Sequence, residues 1–476
     1  MNVFQRVRRW FWNMFSHKGI EDAFGITLTL DPVIVGRQET WRNVALGTAP
    51  WNNDDTPSLN LPNAISTRVA RKVVPGLKSE ISGSERADYL QAQYKDVLAE
   101  LENAVIAVCD GGEIIFKPYM LTDGLSVTVS ETDCYWPIAY DVNDKLIDVV
   151  FGAQLKKEKT VYTLLERHTY DESTRTHEIV YRAFKSEQAE REFTPDNMGK
   201  PIPVTDVGEW AHLTDIVIHD IENPLFVHFK LPSKDAGKAL SRYGAPIWAK
   251  SIEMIRKADQ QEARTDWEFE GGELAIDASV EMFKPSGTAK GGEKLPPQLP
   301  KGKERLYRTL YAQSGDFQMQ VFSPHLRIAE HNMRTNDIKR TIEFQCGLSY
   351  GQISDAGGQD RTAEEFKASK DNFFSTVSGI QQALQFALDR LIYSFDILAD
   401  LQGVVQGGYE VSYTWDDSIM ADREKEFDER LRGQAAGWLD RVENRAWYLG
   451  IDEDSEEATK IQQRIEETQD EFDGVR

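Results

Sequence analysis

Cysteine is scarce in this sequence. The three that occur, Cys109, Cys134 and Cys346, lie far apart and form no CxxC pair. Disulfide frameworks and thiolate metal sites both need several cysteines at short or recurring spacing. We therefore expect neither kind of framework, and this cysteine usage is typical of a reducing compartment.

Long apolar runs are also missing. Nowhere do 18 apolar residues follow one another, although a membrane-spanning helix needs a run of about that length. We therefore expect no membrane span. The composition, with 40% hydrophobic and 28% charged residues, is that of a folded globular chain.

Basic residues are outnumbered. The chain has 55 Lys and Arg against 78 Asp and Glu, a formal net charge of −23, and residues 403–476 alone contain 20 acidic and 9 basic side chains. A chain this acidic does not hold DNA by neutralising its phosphates, but it can surround DNA without adhering to it. Equally, the charge can serve solubility alone.

Catalytic and nucleotide-binding spacings are absent as well. The segment GTAKGGEKL (287–295) resembles a phosphate-binding loop, but Glu293 follows Gly292 where the Walker pattern requires lysine. His325 and His331 are six residues apart and would point to different sides of a helix, unlike the paired histidines of a zinc protease. We therefore expect no enzymatic activity, no cofactor and no metal.

Residues 1–244 carry a mixed pattern that predicts an α+β domain. Residues 19–75 are interpreted as turns and short elements. Apolar residues at helical spacing predict one helix from Ser84 to about Val108. Short β-rich runs then alternate with DG, ND and DES turns, which predicts an antiparallel sheet or meander that ends near residues 223–232.

Three helices follow, and an insert rich in Gly, Pro and Lys separates the first two. Pro246 suits the first turn of a helix, Ser323 and Pro324 suit an N-cap and its next position, and Thr362 opens a capping box. The second helix is expected to end near Gly347. In the third, apolar residues at three- and four-residue spacing predict a buried stripe. Its members are Val377, Ile380, Leu384, Leu388, Leu391, Phe395 and Leu398.

Short segments along nearly the whole chain combine a few apolar residues with a turn. The segments are LNLPNAISTRVARKV (59–73), GGEIIFKPYM (111–120), ETDCYWPIAYD (131–141), YTLLERHTY (162–170), NPLFVHFKLP (223–232), YGAPIWAKSIEMIRKAD (243–259), GLSYGQIS (347–354) and YEVSYTWDDSIMADREKE (409–426). In their order and spacing they resemble the portal proteins of tailed bacteriophages, of the type found in long-tailed phages of Gram-positive hosts. The first 50 and last 25 residues match only in general character.

The resemblance implies an elongated, multi-domain α+β portal fold that assembles into a ring, usually of twelve subunits, with a central channel for double-stranded DNA. The implied parts are an α+β wing (1–244), a first stem helix (245–270), a clip (271–322), a second stem helix (323–348), a tunnel loop (349–361), a long wing helix (362–402) and an acidic crown-side region (403–476).

The same resemblance gives three sets of candidate site residues. The tunnel loop would contact DNA through Gln352, Ser354, Asp355, Gly357, Gly358, Gln359 and Arg361. The stem would line the channel with Arg327, Glu330, Arg334, Asp337, Lys339, Arg340 and Glu343. The clip would offer Lys301, Lys303, Arg305 and Arg308 to the packaging motor or to the head–tail adaptor.

Each set has a simpler interpretation. The stem charges can form ion pairs between subunits, the loop can be an ordinary connector between two helices, and the clip residues can be a solvated basic patch. The implied partners are further copies of the chain, double-stranded DNA, the terminase large subunit, the head–tail adaptor, and the major capsid and scaffolding proteins. No membrane is implied, and the location would be the portal vertex of the virion.

Two other functions stay open on the sequence. One is a further structural head or connector protein of a tailed phage, which would lack the order of helix, insert, helix, loop and long helix. The other is a motor ATPase or nuclease of the packaging machine, against which the missing phosphate loop argues.

The adjacent Gly357 and Gly358 precede the capping box at Thr362, so they are expected to act as a hinge against a fixed helix end. Replacing both by Pro fixes φ and removes two backbone donors. We expect empty heads to form normally and the fraction of DNA-filled heads to fall, counted by electron microscopy of infections that carry the variant. Normal numbers of full heads would make this loop a plain connector.

Overall fold

The computed structural model describes residues 18–28, 32–122, 124–158, 160–187, 198–232, 242–273, 275–279, 307–310, 319–355, 363–415 and 423–449. The chain divides into two compact units. One is drawn from Met1–Val74 and Ile81–Val411, and the other from Pro75–Glu80 and Ser412–Arg476. No helix within the described ranges is long and apolar enough to cross a bilayer.

Helices and strands are mixed along the chain, as the α+β prediction requires. The helices are α1 (Lys18–Phe24), α2 (Pro32–Ala45), α3 (Leu61–Val73), α4 (Glu85–Ala99), α5 (Leu101–Gly111), α6 (Ile252–Gly271), α7 (Ile328–Cys346), α8 (Ala363–Leu401), α9 (Arg423–Ala435) and α10 (Arg441–Leu449). The strands are β1 (Lys78–Ser82), β2 (Glu113–Leu121), β3 (Gly124–Glu131), β4 (Tyr135–Tyr140), β5 (Leu146–Lys157), β6 (Thr160–Asp171), β7 (Thr176–Ser186), β8 (Lys200–Ile202), β9 (Ile216–Ile218), β10 (Val227–Lys230), β11 (Ala275–Ser279), β12 (Tyr307–Leu310), β13 (Met319–Phe322) and β14 (Glu410–Thr414).

The prediction of turns and short elements for residues 19–75 holds for residues 46–60, which form turns, but it is wrong for α2 and α3, which are regular helices of 14 and 13 residues. Helix α3 packs against α5 and buries the apolar side chains of Leu61, Ile65, Val69 and Val73. The polar residues between them hid this stripe in the sequence, and burial against a neighbouring helix stabilises it.

The single helix predicted from Ser84 to Val108 is two helices. Ser84 is the N-cap of α4, and its side chain accepts a hydrogen bond from the N–H of Ala87. At Glu100 the backbone leaves the helical region (φ −98°, ψ 4°), and α5 begins at the next residue. The apolar spacing continues across the break because both helices bury a face, with Tyr94 on α4 and Val105 on α5.

The strands predicted from residue 113 to 184 form antiparallel pairs, but in two sheets. One sheet has the order β4-β5-β6-β7-β8, with β9 also paired to β7, and the other has the order β10-β2-β3. Strand β10 leaves the meander and pairs antiparallel with β2, Val227 opposite Phe116. The chain therefore returns after β9 to the sheet that begins directly after α5.

Buried and partly buried polar side chains connect β2 with β6 and β7. Lys117 forms an ion pair with Glu166, whose other oxygen lies 2.8 Å from Nε2 of His168. Nδ1 of His168 lies 3.0 Å from Nε2 of His177. Burial would raise the pKa of Glu166, but Lys117 and His168 lower it below the usual range. Burial holds the pKa of His177 well below its usual value, so this imidazole is neutral.

The apolar stripe predicted for the third helix is confirmed. All seven of its residues, from Val377 to Leu398, are buried. Helix α8 packs against α3, α4, β2, β3 and β10, so this one stripe contacts both helices and sheet. It is the longest element in the described residues, with 39 residues.

The chain enters the α6 region through a close backbone contact between Gly112 and Gly244. A Cβ atom at Gly112, which has φ +86°, would lie 2.6 Å from backbone atoms of Ala245, and one at Gly244 would lie 2.0 Å from the carbonyl oxygen of Gly112. The N–H of Gly244 also donates to Glu113 Oε2 at 2.8 Å. Only glycine fits at these two positions, so the approach to α6 is fixed against the end of α5.

Two neighbouring positions on α8 test the importance of its buried stripe. Leu384 is fully buried, whereas Phe386 is 73% exposed. We expect Leu384→Asp to lower the free energy of unfolding by about 3–5 kcal/mol, because it buries an unpaired charge. Phe386→Asp is the matched control and should change it by less than about 1 kcal/mol. The measurement is denaturant unfolding followed by circular dichroism, and equal effects of the two variants would contradict the assignment of the core.

Candidate functional site

Helices α6 and α7 pack side by side and run in opposite directions. Three side-chain contacts along the pair define this arrangement. They are Ser251 Oγ with Cys346 Sγ at 3.3 Å, Gln261 Nε2 with His331 Nδ1 at 3.0 Å, and Glu268 Oε2 with Arg327 Nη2 at 2.7 Å. Burial raises the pKa of the Cys346 thiol to about 12, so the first contact is between neutral groups.

Both helices begin later than the sequence predicted. Residues 246–251 precede α6 as a turn followed by a short 3-10 segment, in which the N–H of Ala249 donates to the carbonyl of Pro246 at 2.9 Å. Residues 323–327 have no regular structure, and Arg327, not Ser323, occupies the N-cap position of α7. The prediction of the far end of α7 is confirmed, since Gly347 caps the helix with φ +68°.

A small sheet lies between the two helices in sequence. Strand β11 follows α6, strand β13 precedes α7, and the order is β12-β11-β13. Strands β11 and β13 are antiparallel, with Ala275 opposite Phe322, while β11 and β12 are parallel. The helix pair therefore continues into a strand pair at this end. Arg308 lies in β12, and the other three clip candidates, Lys301, Lys303 and Arg305, lie outside the described residues.

Arg327 and Glu268 join the two helices where they meet this sheet. The Arg327 guanidinium donates to both carboxylate oxygens, Nε to Oε1 at 3.0 Å and Nη2 to Oε2 at 2.7 Å. These hydrogen bonds hold the pKa of Glu268 at about 2, so the pair stays ionised at neutral pH. Arg327, predicted to line the channel, thus binds a carboxylate of its own chain.

The other stem candidates divide by exposure. Glu330, Arg334 and Asp337 are exposed and follow one another at spacings of four and three residues, so they form one column on α7. Lys339 and Arg340 are half-buried. These positions give α7 an exposed face of mixed charge.

Glu343 is different, and its prediction as a channel-lining side chain is wrong. Its carboxylate is fully buried and accepts hydrogen bonds from the loop that follows α7. The N–H groups of Ile353 and Ser354 donate to Oε1 at 2.7 and 2.9 Å, and the Ser354 hydroxyl donates to Oε2 at 2.7 Å. A buried carboxylate with three donors is a fixed anchor for the backbone it contacts.

The described half of the predicted tunnel loop is therefore tied to α7. Ser354 is buried, and its hydroxyl is used by Glu343. The Gln352 side chain donates to Ser349 Oγ at 3.2 Å, and the N–H of Asp355, whose side chain is exposed, donates to Asn336 Oδ1 at 2.7 Å. Four further loop candidates, Gly357, Gly358, Gln359 and Arg361, lie outside the described residues.

Two kinds of position on α6 were not predicted from the sequence. Asp259 is buried and accepts hydrogen bonds from Trp51 Nε1 at 2.9 Å, from Asn52 Nδ2 at 3.1 Å and from the N–H of Leu59 at 2.9 Å. It fixes the loop before α3 to the helix. No local pattern marks it, because its partners are about 200 residues away. The exposed basic residues Lys257 and Arg264 were missed because the candidates were taken from α7 alone.

Comparisons with known proteins found matches among solved structures. No protein-family model matches the chain, and no curated protein matches it. Among the solved structures that do match is a chain from the neck of a native GTA (gene transfer agent) particle, computed with C12 symmetry. The two chains are 14% identical, the match covers 92% of this chain and 99% of the other, and the TM-score is 0.42.

Removing the Glu343 carboxylate tests the anchor of the loop. We expect Glu343→Ala to speed hydrogen exchange at the Ile353 and Ser354 amides by at least about tenfold, because each hydrogen bond to a charged acceptor contributes roughly 1.5–3 kcal/mol. Glu330→Ala, an exposed position on the same helix, is the control and should leave those amides unchanged. Amide exchange resolved to single residues is the measurement, and unaltered rates in Glu343→Ala would refute the anchor.

Proposed function

We propose that this chain is the portal subunit of a tailed-phage virion, and that copies of it, twelve in the simplest case, form a ring around a DNA channel. The observation that carries the proposal is the order of elements in the large unit. An antiparallel helix pair meets a small sheet at one end, an anchored loop follows the second helix, and the 39-residue α8 comes next. This is the order that the sequence resemblance implies for stem, clip, tunnel loop and long wing helix.

The exposed charges of the helix pair suit a wall along which DNA slides. Glu330 and Arg334 on α7, with Lys257 and Arg264 on α6, put both signs of charge on exposed positions of the pair. Each phosphate held by a basic side chain adds salt-dependent affinity and lowers mobility. Acidic neighbours offset that attraction, so the duplex is confined without being held.

The loop after α7 would contact the duplex beyond its anchored base. Glu343 fixes residues 353 and 354, so the proposed contacts fall to the following residues, with Gln359 and Arg361 as the polar groups and Gly357 and Gly358 as the hinge. This arrangement would separate a fixed attachment from a part that adapts to the passing DNA.

The remaining roles follow from the same proposal. The sheet of β11, β12 and β13 would be the clip, and Lys301, Lys303, Arg305 and Arg308 would meet an acidic surface of the terminase large subunit or of the head–tail adaptor. Further contacts would be with the major capsid and scaffolding proteins at one vertex of the virion. The chain would be structural and have no enzymatic activity.

Imaging of the purified full-length chain is the direct test. We expect negative-stain micrographs to show rings with a central hole, and light scattering to give a mass close to twelve subunits. The same preparation should hydrolyse neither ATP nor DNA, with or without magnesium. A monomer at all concentrations, or nucleotide turnover by the chain alone, would refute the proposal.

A further inference from the structure

The outer edges of the α6–α7 pair carry large exposed side chains that the proposed channel does not use. On α7, Met333 and Phe344 are 63% and 67% exposed, and on α6 Trp267 is 68% exposed. Single exposed apolar residues are common on monomers. Here, however, they occur on both helices of one pair, and two of them share one helix face.

The α7 edge is a regular stripe. Met333, Asp337, Arg340 and Phe344 are spaced by four, three and four residues, so they share one face of the helix. At 3.6 residues per turn the centre of this face lies roughly two-fifths of a turn from the side that contacts α6. Two charged side chains of opposite sign thus stand between two apolar ones.

The α6 edge carries its charges in the opposite order. In the direction in which α7 carries Asp337 and then Arg340, α6 carries Arg256 and then Glu253. Glu253, Arg256, Gln260 and Trp267 lie roughly a third of a turn from the α6 residues that contact α7. Arg256 and Glu253 form an exposed ion pair at 2.8 Å. Acidic and basic residues therefore stand next to each other on this edge also.

The antiparallel register places these charges at matching heights. The contact between Gln261 and His331 at 3.0 Å gives a common origin, and each residue adds about 1.5 Å along the axis. Arg256 then lies about 7.5 Å from that origin and Asp337 about 9 Å, in the same direction. Glu253 lies about 12 Å away and Arg340 about 13.5 Å. Each acidic residue of one edge is thus level with a basic residue of the other.

We propose that the α7 edge of one subunit packs against the α6 edge of the next copy in the ring. Asp337 then pairs with Arg256 across this contact, which is called the seam below. Each chain carries both edges, so a head-to-tail contact repeated around a closed ring covers all of them. The inference rests on the proposed function for the existence of a ring, and it adds which surfaces meet in it.

Charge exchange between two separate chains tests this seam. Arg256→Glu would set two carboxylates against each other at every seam, and Asp337→Lys would set two cations against each other. We expect each variant alone to lose the ring peak in gel filtration with light scattering. An equimolar mixture should recover it, because alternating subunits relieve the repulsion at every seam. Asp266→Lys, an exposed position of α6 about a third of a turn from the edge residues, is the control and should assemble normally.

The outcomes separate the two claims. Wild-type rings together with single variants that assemble normally, or a mixture that stays unassembled although both variants melt like wild type, would overturn the seam and leave the proposed function standing. A wild-type chain that never forms rings would overturn both.

A covalent test does not depend on loss of assembly. Gln260 and Met333 lie about 1.5 Å apart in height on the two edges. The variant Gln260→Cys with Met333→Cys, treated with a short bismaleimide, should give a ladder of covalent multimers on denaturing gels. Each single variant should give no more than the wild-type background, since a head-to-tail seam needs both cysteines. Assembled double variant without a ladder would overturn the seam.

Discussion

Burial of one apolar face of α8 is the interaction on which the large unit depends. Helix α8 contacts two helices and three strands from the first half of the chain, so its buried face adds a shared packing surface to elements that α5 and the β10-β2-β3 sheet also connect. A buried arginine sets where the helix ends. Arg86 on α4 donates to the carboxylates of Asp396 and Asp400, both at 2.8 Å, and to the carbonyl of Val404 at 3.2 Å. Removing a guanidinium from water is costly unless its donors are paired, so these contacts favour one position of α8 along its axis.

Buried carboxylates also fix the positions of α6 and α7. Asp259 on α6 and Glu343 on α7 accept hydrogen bonds mainly from backbone N–H, indole, amide and hydroxyl groups. Such bonds are directional, whereas apolar packing tolerates small shifts. Each helix is therefore aligned with a particular loop, Asp259 with the loop before α3 and Glu343 with the loop after α7.

Local patterns in the sequence predicted much of this fold. The stripe of α8, the antiparallel strands between residues 113 and 184, and the Gly347 cap depend on neighbours in sequence, and all were recovered. The errors arose where contacts with residues distant in sequence determine the local structure. Helix α3 needs the face of α5, the start of α7 is set by Arg327 meeting Glu268, and Glu343 is buried by a loop that the helical spacing does not reveal. The α6 edge was missed because its complement lies on another helix.

The glycine contact at the approach to α6 has a mechanical consequence. With Gly112 and Gly244 in backbone contact, and with the N–H of Ile247 donating to the carbonyl of Cys109 at 3.1 Å, there is no slack between the end of α5 and the start of the helix pair. A force applied to α6 along its axis is therefore transmitted to α5 and to β2, which starts beside Gly112. Helix α5, strand β2 and the helix pair then move together under an applied force. Bending is expected at the opposite end of the pair, where α6 and α7 adjoin strands β11 and β13.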